Sequence, residues 1–81
     1  MVTLTLDLLD RITINPKILV GKPTIRGLRI SVEQILNALA AGVPQQDLLA
    51  DYPDLEPEDI YAALTYAAQL VGETRVYPVA A

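Results

Sequence analysis

The chain has 81 residues, 52% of them apolar, with no Cys, no His and a net charge of −4. Lacking His and Cys, it has neither the usual zinc ligands nor the commonest acid–base and nucleophilic side chains, so no metal, no cofactor and no enzymatic role are expected. No apolar run approaches the roughly 20 residues that span a membrane, and the N-terminus lacks the basic start of a secretory leader, so a cytoplasmic protein is expected.

In chain order, Val2, Leu4 and Leu6 alternate with Thr3, Thr5 and Asp7, the period of a half-buried strand. Ile12-Thr13-Ile14 is a second short strand, stopped by Asn15-Pro16. Pro23-Thr24-Ile25 and Leu28-Arg29-Ile30 flank Arg26-Gly27, a tight-hairpin pattern in which Gly supplies a positive φ. Ser31 and Gln34 make a capping box that opens a helix at Val32, with an apolar face of Val32, Ile35, Leu36, Leu39 and Ala40, ended by Gly42. A short helix over 45–51 contributes Leu48 and Leu49. After the break at Tyr52-Pro53-Asp54, Pro57 starts a third helix, with Leu55 and Ile60 as a hydrophobic staple. Its predicted buried face is Ile60, Leu64, Ala67 and Val71, and Gly72 is its predicted stop. Arg75-Val76-Tyr77 reads as a last strand.

These elements predict one domain over 1–81. It has a β-rich basic part (1–30), a helical part (31–72) and a C-terminal strand or tail (73–81). The class is α+β, mostly α: short N-terminal strands and a hairpin, then a three-helix bundle with the rhythm of a helix-turn-helix. A domain of this size buries only about 60% of the surface its unfolded chain exposes. Its apolar content exceeds what so small a core hides, which predicts a homodimer, with strands 2–6 and 75–77 as the pairing edges.

Charge is divided along the chain. Residues 1–30 carry Arg11, Lys17, Lys22, Arg26 and Arg29 against Asp7 and Asp10, a balance of +3. Residues 31–74 carry eight acids and no Lys or Arg, a balance of −8. The stretch around Gly21-Lys22 is no phosphate-binding loop, because Pro16 stands where that motif needs Gly and Pro23 follows Lys22. Lys17, Lys22, Arg26 and Arg29 on a ribbon suit nucleic-acid phosphates; the alternative is a solvated edge strand that discourages stray pairing. No Tyr interleaves this basic group.

A helix-turn-helix reads bases with the start of its second helix, which here is Glu56, Glu58 and Asp59. Carboxylates there repel phosphates, although they suit the helix dipole. They form at best a weak Mg²⁺ site, which is not expected. Protein binding is the better expectation, with Asp51, Glu58, Asp59 and Tyr61 as partner-facing residues. Tyr66 and Leu49 are further candidate apolar anchors, each equally suited to a core role.

The runs INPKILVGKPTIRGLRISVEQILNALAAG and YPDLEPEDIYAALTYAA resemble the bacterial family catalogued as domain of unknown function 433. The motif falls on Gly21, Lys22, Pro23, Ile25, Gly27, Arg29 and Ile30, then on Gly42, Tyr52, Pro53, Leu55 and Ile60, and the resemblance covers about residues 11–71. Leu28 stands where Thr is common, and Glu56 where a Thr would cap the third helix. The resemblance implies a homeodomain-like fold with an N-terminal β element. It also implies a gene neighbourhood with a PIN-like nuclease, for which family members are described as candidate antitoxins. The expected function is therefore an antitoxin-like protein that neutralises a PIN-like ribonuclease toxin and binds operator DNA, with no small-molecule substrate. The alternatives are a stand-alone helix-turn-helix regulator and a structural dimerisation module.

Overall fold

The computed structural model describes residues 8–74. Two short strands, β1 (Ile12–Ile14) and β2 (Pro23–Ile25), precede three helices, α1 (Val32–Ala40), α2 (Gln45–Asp51) and α3 (Pro57–Thr74). The expected α+β architecture, mostly helical, is present. The strands expected at 2–6 and 75–77 lie outside the described residues.

β1 and β2 pair antiparallel, with Ile12 opposite Ile25, Thr13 opposite Thr24 and Ile14 opposite Pro23. Pro23 has no N–H to donate and sits at the strand's first position, where that costs nothing. Thr24 is buried, and its hydroxyl is satisfied by donating to the Thr13 carbonyl at 3.2 Å. The connection between the strands begins with an Asn15 side chain accepting from the Lys17 N–H at 2.9 Å. It ends in one left-handed turn, with φ of +50° at Leu19, +56° at Val20 and +78° at Gly21. A β-branched residue pays a steric penalty there, and this one leaves Val20 almost fully exposed.

After β2 the chain reverses through Arg26 (φ +45°) and Gly27 (φ +73°), with the Leu28 N–H donating to the Ile25 carbonyl at 2.7 Å. Two successive positive φ values are what a type I′ turn requires. The strand expected over 28–30 does not form. The Ile25 N–H reaches past it to the Ile30 carbonyl, a single bridge joins Thr24 to Ser31, and Leu28 and Arg29 stay outside the ladder. Ser31 is already committed to capping α1, so the segment is too short for a regular ladder, and β2 takes β1 as its partner instead. A methyl added at Gly27 meets no atom within 4 Å. Gly27→Ala should therefore cost only the φ penalty, about 1–2 kcal/mol in urea unfolding. A substantially larger loss would show that the turn is packed against something.

The capping box at α1 is complete: the Gln34 N–H donates to Ser31 Oγ at 3.0 Å, and the Ser31 N–H donates to Gln34 Oε1 at 2.8 Å. At the other end Gly42 has φ +89°, and the N–H groups of Gly42 and Val43 return to the carbonyls of Leu39 and Ala38 at 3.0 Å. This is a Schellman closure, and it satisfies two carbonyls that the helix leaves open. α2 spans the expected residues. α3 runs through Gly72 to Thr74, two residues beyond its expected stop, because Gly inside a helix costs only about 1 kcal/mol.

Ile25, Val32, Ile35, Leu48, Leu55, Ile60 and Ala63 form the core, so every element from β2 onward contributes to it. Leu55 and Ile60 are both buried there, as a staple requires. The predicted inner face of α3 is only partly right. Ile60 faces inward, but Leu64 and Val71 are exposed, and Asp59, Ala62 and Ala63 are buried in their place. The reason is an ion-pair network that holds Asp59 against Arg11 and Arg26, which flank the strand pair.

Candidate protein-binding surface

Asp59 stands in the first turn of α3 with 0% of its side chain exposed. Arg26 donates to it from Nη2 at 3.0 Å and from Nε at 3.1 and 3.3 Å. Arg11 adds Nη1 at 2.9 Å, and the Glu56 N–H adds a bond at 2.9 Å. That last bond is half of a capping box, supplied by the third helical residue because Glu56 itself makes no side-chain cap. Arg11 also reaches the Glu56 carboxylate at 2.7 Å, and Arg26 the Asp54 carbonyl at 2.6 Å.

The ladder explains why two guanidiniums converge. Ile12 opposes Ile25, and one step further the Arg26 N–H donates to the Arg11 carbonyl at 2.8 Å, so the two Arg residues stand across from each other. Like charges directly opposite on two strands repel. Asp59 pairs with both, Glu56 supplies a second negative charge to Arg11, and the carboxylates tie the sheet to α3. Burial opposes the charged form of Asp59. The bonds from Arg26, Glu56 N–H and Arg11 outweigh it, and its pKa lies below the ordinary carboxylate value. Hydrogen bonds to Glu56 and Asp59 raise Arg11, and bonds to Asp59 raise Arg26, so both stay cationic.

This network redistributes the residues picked out from sequence. Arg26 is engaged inward rather than presented on the ribbon. Asp59 is a buried anchor and no part of an outer acidic face. Arg11 was not singled out as a site residue. The signal that could have found it is the register Ile12–Ile25, which puts two Arg side by side and demands an acid between them.

Of the remaining basic residues, Lys22 pairs with Glu33 at 2.9 Å, both side chains being exposed, an arrangement worth little. Lys17 and Arg29 are exposed and, among the described residues, form no ion pair. The aromatic and apolar candidates divide as well: Tyr66 and Leu49 pack against the core, whereas Tyr61 is exposed.

The acids are a different matter. Asp47 and Asp51, four residues apart, share one face of α2, and both are exposed. Asp54 in the following turn and Glu58 at the start of α3 are exposed too. No Lys or Arg occurs between residues 31 and 74 to neutralise them in sequence. Asp47, Asp51, Asp54 and Glu58 are thus exposed carboxylates on α2, the turn after it and the start of α3. Among the described residues, no three His, Cys, Asp or Glu side chains group as a metal site, and no helix is long and apolar enough to cross a membrane.

Three comparisons with known proteins agree on kinship. The family described as "Protein of unknown function (DUF433)" matches residues 12–67. The chain is 37% identical over 68 residues to the "Uncharacterized protein y4eO" of Sinorhizobium fredii, a match covering 82% of this chain and 31% of that protein. It therefore spans about a third of the length of this curated relative. The crystal structure of a DUF433 member protein from Anabaena variabilis superposes with a TM-score of 0.73 at 33% identity, covering 89% of this chain and 71% of the other. The matched segment holds the whole strand pair, the reversal at Arg26-Gly27 and the Asp59 anchor, and the chain belongs to the DUF433 family.

Proposed function

We propose that this domain acts by binding rather than by catalysis, as the antitoxin-like partner of a basic protein, a PIN-like nuclease being the class that fits, in the cytoplasm. The observation that carries the reading is the exposed carboxylate set Asp47, Asp51, Asp54 and Glu58, which lies on α2, its following turn and the start of α3. A nuclease that holds RNA needs positive charge near its active site, and this surface is complementary to it. Complementary charge raises the association rate and excludes wrong partners. The direct test is co-expression with the product of the adjacent gene. A stable complex between the two is the expected outcome; a neighbour that is basic and nuclease-like yet fails to co-purify defeats the reading.

Operator binding is the second part of the proposal, and among the described residues three basic side chains support it: Lys17, Lys22 and Arg29. Replacing these with Ala should weaken DNA binding and reduce its salt slope by about 0.9 unit for each lost phosphate contact. Arg26 is left out of that variant, because its loss would strand Asp59. An unchanged slope would remove the ribbon from the DNA-binding reading, and a domain that binds operator strongly without any protein partner would favour a stand-alone regulator.

A further inference from the structure

From Ile60 to Gly72, α3 carries no charged residue. Its inward face is filled by Ile60, Ala63 and Tyr66 against the core. Its outward face is apolar as well: Tyr61 is 52% exposed, Leu64 42% and Val71 63%, with Ala68 between them. A helix apolar on both sides is characteristic of one enclosed on both sides. The thirteen uncharged residues are too few to span a membrane.

The outward residues have a definite order. Tyr61, Leu64, Ala68 and Val71 are spaced three, four and three apart, the a and d positions of two successive heptads, which is the seam of a paired helix. The flanking positions that set partner choice by charge are Thr65, Ala67, Gly72 and Thr74, all neutral. A seam meant for a charged partner helix would carry the opposite sign there. Neutral flanks with small residues at 67, 68 and 72 permit close approach of an identical helix without like-charge repulsion.

The helix dipoles decide the orientation. A parallel pair would align the two dipoles and set Glu58 against Glu58 and Glu73 against Glu73. An antiparallel pair opposes the two helix dipoles favourably. It places Leu64 opposite Ala68 of the second copy, and Tyr61 opposite Val71. Val71 walls an open recess of about 400 Å³ between α1 and α3, lined also by Val32, Leu36, Tyr66 and Leu70. An aromatic ring seated in such a recess is the usual anchor of an interface.

We infer that α3 pairs antiparallel with α3 of a second copy along Tyr61, Leu64, Ala68 and Val71, each Tyr61 ring entering the other copy's recess. The inference needs no other protein and stands independently of the nuclease reading. It assigns Tyr61 to self-association and leaves Asp47, Asp51 and Glu58 outward at the two ends of the pair.

The test uses the full chain, whose lack of Cys gives a clean background. Sedimentation equilibrium at tens of micromolar should report twice the 8.8 kDa chain mass. Leu64→Glu with Val71→Glu, both at exposed positions, should weaken the dimer by about a hundredfold or more through apposed charge while circular dichroism stays native. If that variant fails to fold, Ala68→Lys provides the same repulsion from a third exposed site. For orientation, Leu64→Cys chains mixed with Ala68→Cys chains should crosslink to each other through a short bis-maleimide, whereas neither should crosslink well to itself. A monomeric wild type, a dimer that survives the charged variants, or self-crosslinking of Leu64→Cys in preference to the mixture would each overturn the inference.

Discussion

Asp59→Ala is expected to lower the unfolding free energy by about 2–4 kcal/mol, a large effect for a point change in this chain. The substitution strands Arg26, leaves Arg11 with Glu56 as its one carboxylate partner, and removes the acceptor of the Glu56 N–H. Breaking a fully buried pair costs about 3–5 kcal/mol. Here Arg11 and Arg26 keep 28% and 35% of their side chains exposed, so water recovers part of the loss. A domain of this length has a total stability of roughly 4–12 kcal/mol, so the variant should unfold at visibly lower urea. Asp59→Asn separates charge from hydrogen bonding. Because Asp59 titrates below its unfolded value, its contribution is present above about pH 4, the unfolded carboxylate pKa, and is lost as pH falls through the lower folded pKa. The wild type should therefore lose stability below about pH 4, and Asp59→Asn should be less stable at neutral pH with a flatter acid limb. If the Asn variant keeps the wild-type acid dependence, Asp59 is not the group that links the sheet to α3.

Reversing the outer acidic charge should have the largest effect on partner association. Asp47→Lys, Asp51→Lys and Glu58→Lys together move the net charge from −4 to +2, each substitution adding two units. Electrostatic steering changes association rates by about 10 to 1,000-fold, and most of the change disappears at high salt. A stopped-flow association rate with the adjacent gene product should fall at least about tenfold at low ionic strength and converge with wild type in high salt. Asp59 has no place in this variant. It has no exposed surface to offer a partner, and reversing its sign would set a third cation beside Arg11 and Arg26. Equal rates at low salt would make the outer acids a solvated surface and nothing more.

Local chemistry made much of the fold legible from residues alone. Ser31 and Gln34 sit three apart and can only bond each other's backbone by starting a helix at Val32, and Gly42 supplies the positive φ that ends it. Pro57 suits a first helical turn, and Arg26-Gly27 suits a I′ turn, because each depends on a few neighbouring dihedrals. The family resemblance was legible for a related reason: its motif sits on these same turns and caps. Tertiary structure decided what depends on register and helix rotation. Alternating residues at 28–30 look like a strand, but Ser31 is needed by α1, so β2 pairs with β1 instead. That register sets Arg11 beside Arg26, and their combined charge draws Asp59 inside. The rotation this imposes on α3 turns Leu64 and Val71 outward, although their spacing matched an inner face. Periodicity reports that a helix has an apolar stripe; which side faces the core is settled by the long-range charge that pins it.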